Sequence, residues 1–158
     1  MDMGTRSMIG KLEADGTVTA IYCHWDGYAE GVGLMLMKHY RDVAKIDALM
    51  ALGDLSSLGA EIGEKHPFSR YDAFMSDAIS EETYDKLYGN MCLSYARDRG
   101  ELETRSKTYA NIDVYAENAL KDHGGEFLYL YEDGFWHCWS STGMHINLYD
   151  MNVMGLIQ

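Results

Sequence analysis

Two Asp-Gly dipeptides, Asp15-Gly16 and Asp133-Gly134, constrain this chain more than any other feature. Each lies between runs rich in β-branched and aromatic residues. The first separates "TRSMIGKL" from "TVTAIYCHW", and the second separates "EFLYLYE" from "FWHCWS". Asp-Gly suits a type I′ turn, whose two positive φ angles match the twist of paired strands. A β-hairpin is therefore expected at each end of the chain.

Between the hairpins the apolar period becomes helical. Tyr28, Val32, Met35, Leu36 and Tyr40 form one stripe, and Gly31 and Gly33 within it imply close packing or a late helix start. Asp42 is placed to cap a second helix, with Val43, Ile46, Leu49 and Met50 on one face and Gly53 at its end. "GDLSSLGAEIG" (53–63) reads as a compact loop or a short helix capped by Asp54 and Ser56 or Ser57. Tyr71, Phe74, Met75 and Ala78 have helical spacing, and Ser80 caps a further helix. "MCLSYARDRG" (91–100) reads as a strand. Asn111 caps a helix with Ile112, Tyr115, Ala116, Ala119 and Leu120 facing inward, closed by Gly124-Gly125. The tail from 144 is apolar enough to dock as a strand or short helix. This order predicts one α+β domain, 1–158, with a mainly antiparallel sheet and helices packed on one face.

Charge narrows the partners. The chain has 25 acidic and 13 basic residues, a net −12. Such a surface repels nucleic-acid phosphates and anionic membranes, so neither is expected as a partner. No apolar run approaches the roughly 20 residues of a transmembrane helix, and the first ten residues lack the apolar core of a secretory signal. Cys23, Cys92 and Cys138 lie far apart without CxxC spacing, which fits reduced thiols in a cytoplasm. No cofactor motif stands out. Surplus carboxylate is either ordinary solubility or a surface that meets a basic groove. Candidate contact residues for the second reading are Glu81, Glu82, Asp85, Glu117, Asp122, Glu132 and Asp133.

The stretch "IYCHWDGY" is the other candidate site. On a strand, Cys23 and His24 point to opposite faces, which argues against a Cys-His nucleophile pair. Asp26 is placed to cap the following helix, so the stretch reads as a strand-to-helix corner. The functional alternative is a ligand pocket using His24, Trp25, Asp26 and Tyr28, with Arg97 and Arg99 as bidentate anion binders. For the two arginines, pairing with Asp98 and Glu101 is the structural alternative. A metal would have to draw on His24, Asp26, His39 and His137 or His145, and no HxxxH or HExxH spacing supports it, so no metal site is assigned. "GDLSSLG" lacks the lysine of a phosphate loop. Phe127, Tyr129, Tyr131, Phe135, Trp136 and Trp139 crowd the last hairpin as core, or in part as a partner or dimer surface.

Thr5-Arg6-Ser7, the corner from Tyr22 to Tyr28, His39-Tyr40 and Gly53 to Gly59 together resemble a family of small proteins encoded by bacteriophages and prophages. "YARDRGE" (95–101) is similar too. The resemblance covers about the first 60 residues well and carries no established reaction. It implies a phage accessory protein in a bacterial cytoplasm, and by analogy of that setting an inhibitor of host defence, in the manner of anti-CRISPR proteins. Three readings follow: a non-enzymatic acidic protein that contacts a basic host protein, a ligand or nucleotide binder or minor enzyme at the corner, and a homodimer.

Overall fold

The structure is a computed structural model and describes residues 4–153. Strands β1 (Ser7–Leu12) and β2 (Val18–Cys23) form the first hairpin, β6 (Phe127–Glu132) and β7 (Phe135–Ser140) the second. The turns differ. At the second, Asp133 (φ 52°) and Gly134 (φ 86°) make the expected type I′ turn. At the first, only Gly16 has positive φ (89°), and the Gly16 amide donates to the Glu13 carbonyl. That is a type I turn followed by a left-handed glycine, with Asp15 accepting from the Thr17 amide.

Six strands and α-helices come first after the first hairpin. They are α1 (Leu34–His39), α2 (Val43–Ala51), β3 (Leu55–Ser57), α3 (Arg70–Asp77), α4 (Glu81–Tyr88) and β4 (Leu93–Ser94). Then come α5 (Tyr95–Arg99), β5 (Lys107–Tyr109) and α6 (Ile112–His123). After β7, β8 (His145–Ile146) and α7 (Leu148–Val153) end the described chain. The tail thus supplies a short strand and a helix; 154–158 lie outside the described residues.

The α+β class stands, but the sheet is mixed. Its order is β4-β3-β2-β1-β6-β7-β8, with β5 paired to β2. β1 runs parallel to β6, Ile9 opposite Tyr129, and β2 runs parallel to β3 at Cys23–Leu55. The expectation of a mainly antiparallel sheet fails because the two hairpins join along β1 and β6 in the same direction. Parallel strands need a crossover, and α6 supplies it in 12 residues between β5 and β6.

That crossover also overturns the expectation of helices on one face. The α1–α2 side of the sheet buries Ile9, Ile21, Tyr129, Trp136 and Cys138 against Leu36, Ile46 and Leu49. The opposite side buries Met8, Ala20, Leu128 and Leu130 under Tyr115 and Ala119 of α6. Ala116, expected inward, is exposed. The Tyr115 ring lies over Gly10, and its hydroxyl donates to the Tyr129 carbonyl at 2.7 Å.

The helix after the corner opens as a π-helical turn, Ala29–Gly33. Gly33 packs against Leu148 and Tyr129, which is the close approach that its glycine implied. The inserted residue shifts the stripe, so Val32, Leu36 and Tyr40 are buried while Tyr28 is exposed. Most of the aromatic hairpin is core: Trp136 donates its indole N–H to the Tyr40 carbonyl at 2.8 Å, and Phe135 remains exposed. Among the described residues no helix is long and apolar enough to cross a membrane.

A Cβ on Gly10 would stand 2.7 Å from Tyr115 Cζ, inside the seam of both hairpins. Gly10→Ala is expected to lower unfolding free energy by about 1–3 kcal/mol in a urea titration. An unchanged midpoint would mean that Tyr115 is not packed on the seam.

Candidate functional site

The Tyr22–Tyr28 corner is held mainly by backbone. The His24 and Trp25 amides donate to the Leu55 and Ser56 carbonyls, and the Gly27 amide donates to Thr5. Asp26 does not cap the next helix: it sits at φ 58°, its carboxylate accepts the Tyr28 hydroxyl at 3.1 Å, and the helix starts from Tyr28 without a side-chain cap. The left-handed backbone at Asp26 turns its side chain outward, away from the first helical amides. Cys23 and His24 do face opposite ways. Cys23 is buried, and desolvation pushes its thiol up to about 12, which leaves it unreactive. His24 shares a 2.7 Å hydrogen bond with Tyr22 and meets Trp25 edge-on. A cleft of about 170 Å³ opens here, walled by Trp25, Asp26, Glu30, Met35 and Ser57. His24 and Tyr28 are not in that wall, and its volume is below the roughly 300–1,000 Å³ usual for a small-molecule site.

Arg97 and Arg99 do not share a strand face. The segment 95–99 is helix α5, capped by Ser94, whose hydroxyl accepts the Arg97 amide, and closed by Gly100 at φ 76°. Ser94 and Gly100 are both cap residues, and that local chemistry overrides the strand reading. Arg97 is a structural staple: it holds Asp98 in a fork at 2.9 and 3.1 Å and donates to the Ile62 and Cys92 carbonyls. Asp98 is fully enclosed and also accepts the Ser94 and His66 amides. Arg99 pairs with Glu101 and lies over Phe68, 4.4 Å from the ring centroid.

Asp54 also departs from the expected capping role. "GDLSSLG" forms strand β3, not a capped helix, because Asp54 is used sideways: it accepts the Tyr22 amide and the Lys107 ammonium, tying β2 to β5. Among the described residues no three His, Cys, Asp or Glu side chains lie close enough to hold a metal ion. Burial lowers the His123 imidazole below its usual range, with Lys107 adding to the effect, and His39 is lowered chiefly by burial.

The candidate acids fall in three places. Glu81, Glu82 and Asp85 are exposed on α4; Glu117 and Asp122 are exposed on α6; Asp133 is exposed and Glu132 half-buried at the β6–β7 turn. Glu132 and Asp133 stand beside the single exposed ring of Phe135, whereas the α4 group shares its hairpin with several exposed apolar side chains. Helices α3 and α4 form a hairpin at the β3–β4 end of the sheet. Ser69 and Ser80 cap them by accepting the Asp72 and Thr83 amides. Ala78, in the left-handed conformation, ends α3. Yet α3 buries Ala73 alone, and α4 buries no residue. Tyr71, Phe74 and Met75 are 69, 61 and 63% exposed, at i, i+3 and i+4. Leu87 on α4 is exposed too. The hairpin carries five carboxylates, Asp72, Asp77, Glu81, Glu82 and Asp85, against Arg70 and Lys86. Arg70 forks onto Asp85 at 2.8 and 3.0 Å.

The sequence signal for this surface was the helical spacing of Tyr71, Phe74 and Met75 within an otherwise polar stretch. Period alone does not say which face is covered. His66, on the inner side of the hairpin, carried no motif and emerges from the structure alone.

Removing one partner of the Asp98–Arg97 pair leaves a largely buried charge. Asp98→Ala is expected to cost about 3–5 kcal/mol by chemical denaturation, with the hairpin loosened in hydrogen exchange. A loss under about 1 kcal/mol would place the pair with surface salt bridges.

Comparison with protein-family models, with curated proteins and with solved structures finds no match to this chain.

Proposed function

We propose that this chain is a non-catalytic binding protein that docks a basic protein partner through the α3–α4 hairpin. The observation that carries the reading is the exposed triad Tyr71, Phe74 and Met75 on a hairpin with five carboxylates and two basic side chains. Aromatic and methionine side chains are enriched at interface centres, and burying each would contribute about 1.5–3 kcal/mol. The surrounding charge sets the partner's sign: carboxylates speed association with a Lys- and Arg-rich surface and make it salt-sensitive. The same charge opposes a second copy on this face, because two acidic hairpins repel, so the homodimer reading is not favoured here. Glu81, Glu82 and Asp85 remain contact residues in this reading. Glu117, Asp122, Glu132 and Asp133 contribute to the long-range field only.

Within the phage setting implied by the resemblance, the chain would act in a bacterial cytoplasm. Its partner would be a basic, nucleic-acid-binding surface of a host defence complex, blocked by occupation. The buried, high-pKa thiol of Cys23 and the small corner cleft lend no support to an enzyme there.

The test is affinity capture from bacterial lysate with the wild-type chain and with Tyr71, Phe74 and Met75 all replaced by serine. The wild type is expected to retain basic proteins at low salt and release them at high salt. The variant is expected to fold and to retain none. An empty wild-type resin at low salt, or capture indifferent to the triad, would contradict the proposal.

A further inference from the structure

Under the hairpin lies a cleft of about 360 Å³ between α3–α4 and the β3–β4 edge, walled in part by Ser57, His66, Phe68, Tyr84, Asp85 and Tyr88. His66 is its unusual member, with a side chain 1% exposed. Its Nδ1 lies 2.7 Å from the Glu64 carbonyl. A carbonyl only accepts, so Nδ1 carries the proton, and in the neutral ring Nε2 holds a lone pair. No group among the described residues bonds that Nε2. Nε2 is not among the polar atoms sealed from solvent without a partner, so it is an acceptor that a ligand donor in the cleft can reach.

The rest of the wall defines the donor. Tyr88 stacks on His66 with ring centroids 5.0 Å apart and planes 15° apart, and Tyr84 meets Tyr88 edge-on at 5.3 Å. Asp85 contributes a carboxylate, and Glu81 stands 3.5 Å from Arg70. A phosphate or carboxylate ligand would face Asp85, while Arg70, the cation in the wall, is already committed to Asp85 and Glu81. A planar cation with several N–H donors and no acceptor suits a wall that offers an imidazole acceptor, a carboxylate and tyrosine rings. The chain itself shows the stacking half of this arrangement, with Arg99 over Phe68 and Tyr95 at 4.4 and 5.0 Å.

We infer that this cleft receives an arginine side chain of the protein partner, its guanidinium donating to His66 Nε2 and Asp85 against the tyrosine rings. The inference rests on the protein-contact reading and names the specificity determinant beneath the docking surface.

The full chain, labelled with ¹⁵N in its histidines, is titrated with N-acetyl-arginine amide and followed through the imidazole resonances. The same titration is run with N-acetyl-lysine amide, AMP and inorganic phosphate. The arginine probe is expected to shift His66 Nε2 saturably and the lysine probe more weakly. Asp85→Asn, an exposed change that spares the fold, is expected to weaken arginine several-fold. The serine triad variant is expected to bind the arginine probe as the wild type does. Arginine binding that survives while lysate capture fails would count against the docking reading alone. Absence of any arginine shift at His66, or a shift by phosphate or AMP in its place, overturns the arginine pocket whatever the capture shows.

Discussion

Everything else in this molecule hangs on the parallel contact between β1 and β6. It fuses two local hairpins, one from each end of the chain, into one sheet. Because the strands run the same way, the chain must cross over the sheet to form it, and α6 does so. One helix on that face and α1–α2 on the other give two apolar layers in place of one. Gly10 and Tyr115 mark the closest approach: a bare Cα lets the tyrosine ring rest on the strand, and its hydroxyl satisfies the Tyr129 carbonyl of the neighbouring strand. Ring, hydrogen bond and missing side chain are one device.

With both cores closed at the seam, the segment from β3 to β5 is left on the periphery. It is pinned at its base, by Arg97 on Asp98 and two carbonyls, and by Tyr40 donating to the Gly59 carbonyl. Beyond that base, the α3–α4 hairpin has little to gain from the body of the protein. Its side-chain anchors include Ala73 and the Tyr84 hydroxyl on the Pro67 carbonyl. Apolar surface that the fold does not use is therefore left exposed, and in the proposed function it is what a partner covers.

Local chemistry was legible in the sequence. Both hairpins, the caps Asp42, Ser80 and Asn111, and the glycine stops at Gly53 and Gly124 are where residue type and short spacing place them. What was illegible is long-range. Nothing near Ile9 says that its neighbour is Tyr129, so neither the parallel seam nor the second covered face could be read. Asp54 looks like a cap until Tyr22 and Lys107 are brought to it from 32 and 53 residues away. Arg97 and Arg99 read as a strand because alternation was the visible pattern, whereas Ser94 and Gly100 close a five-residue helix around them. At the corner, the opposed faces of Cys23 and His24 followed from strand geometry, but the outward turn at Asp26 depended on a positive φ that asparagine or glycine would have advertised better. On α3 the stripe was seen, and its exposure was not, because period carries no information on what lies opposite.

Stability resides at the β1–β6 seam, and the α3–α4 hairpin, with Ala73 as its one buried residue, opens as a separate unit. Native-state hydrogen exchange tests this most directly. Amides of β1 and β6 should exchange only through global unfolding, while those of α3 and α4 exchange through local opening at a much smaller free energy. Equal protection in the two regions, moving together as denaturant is added, would contradict it.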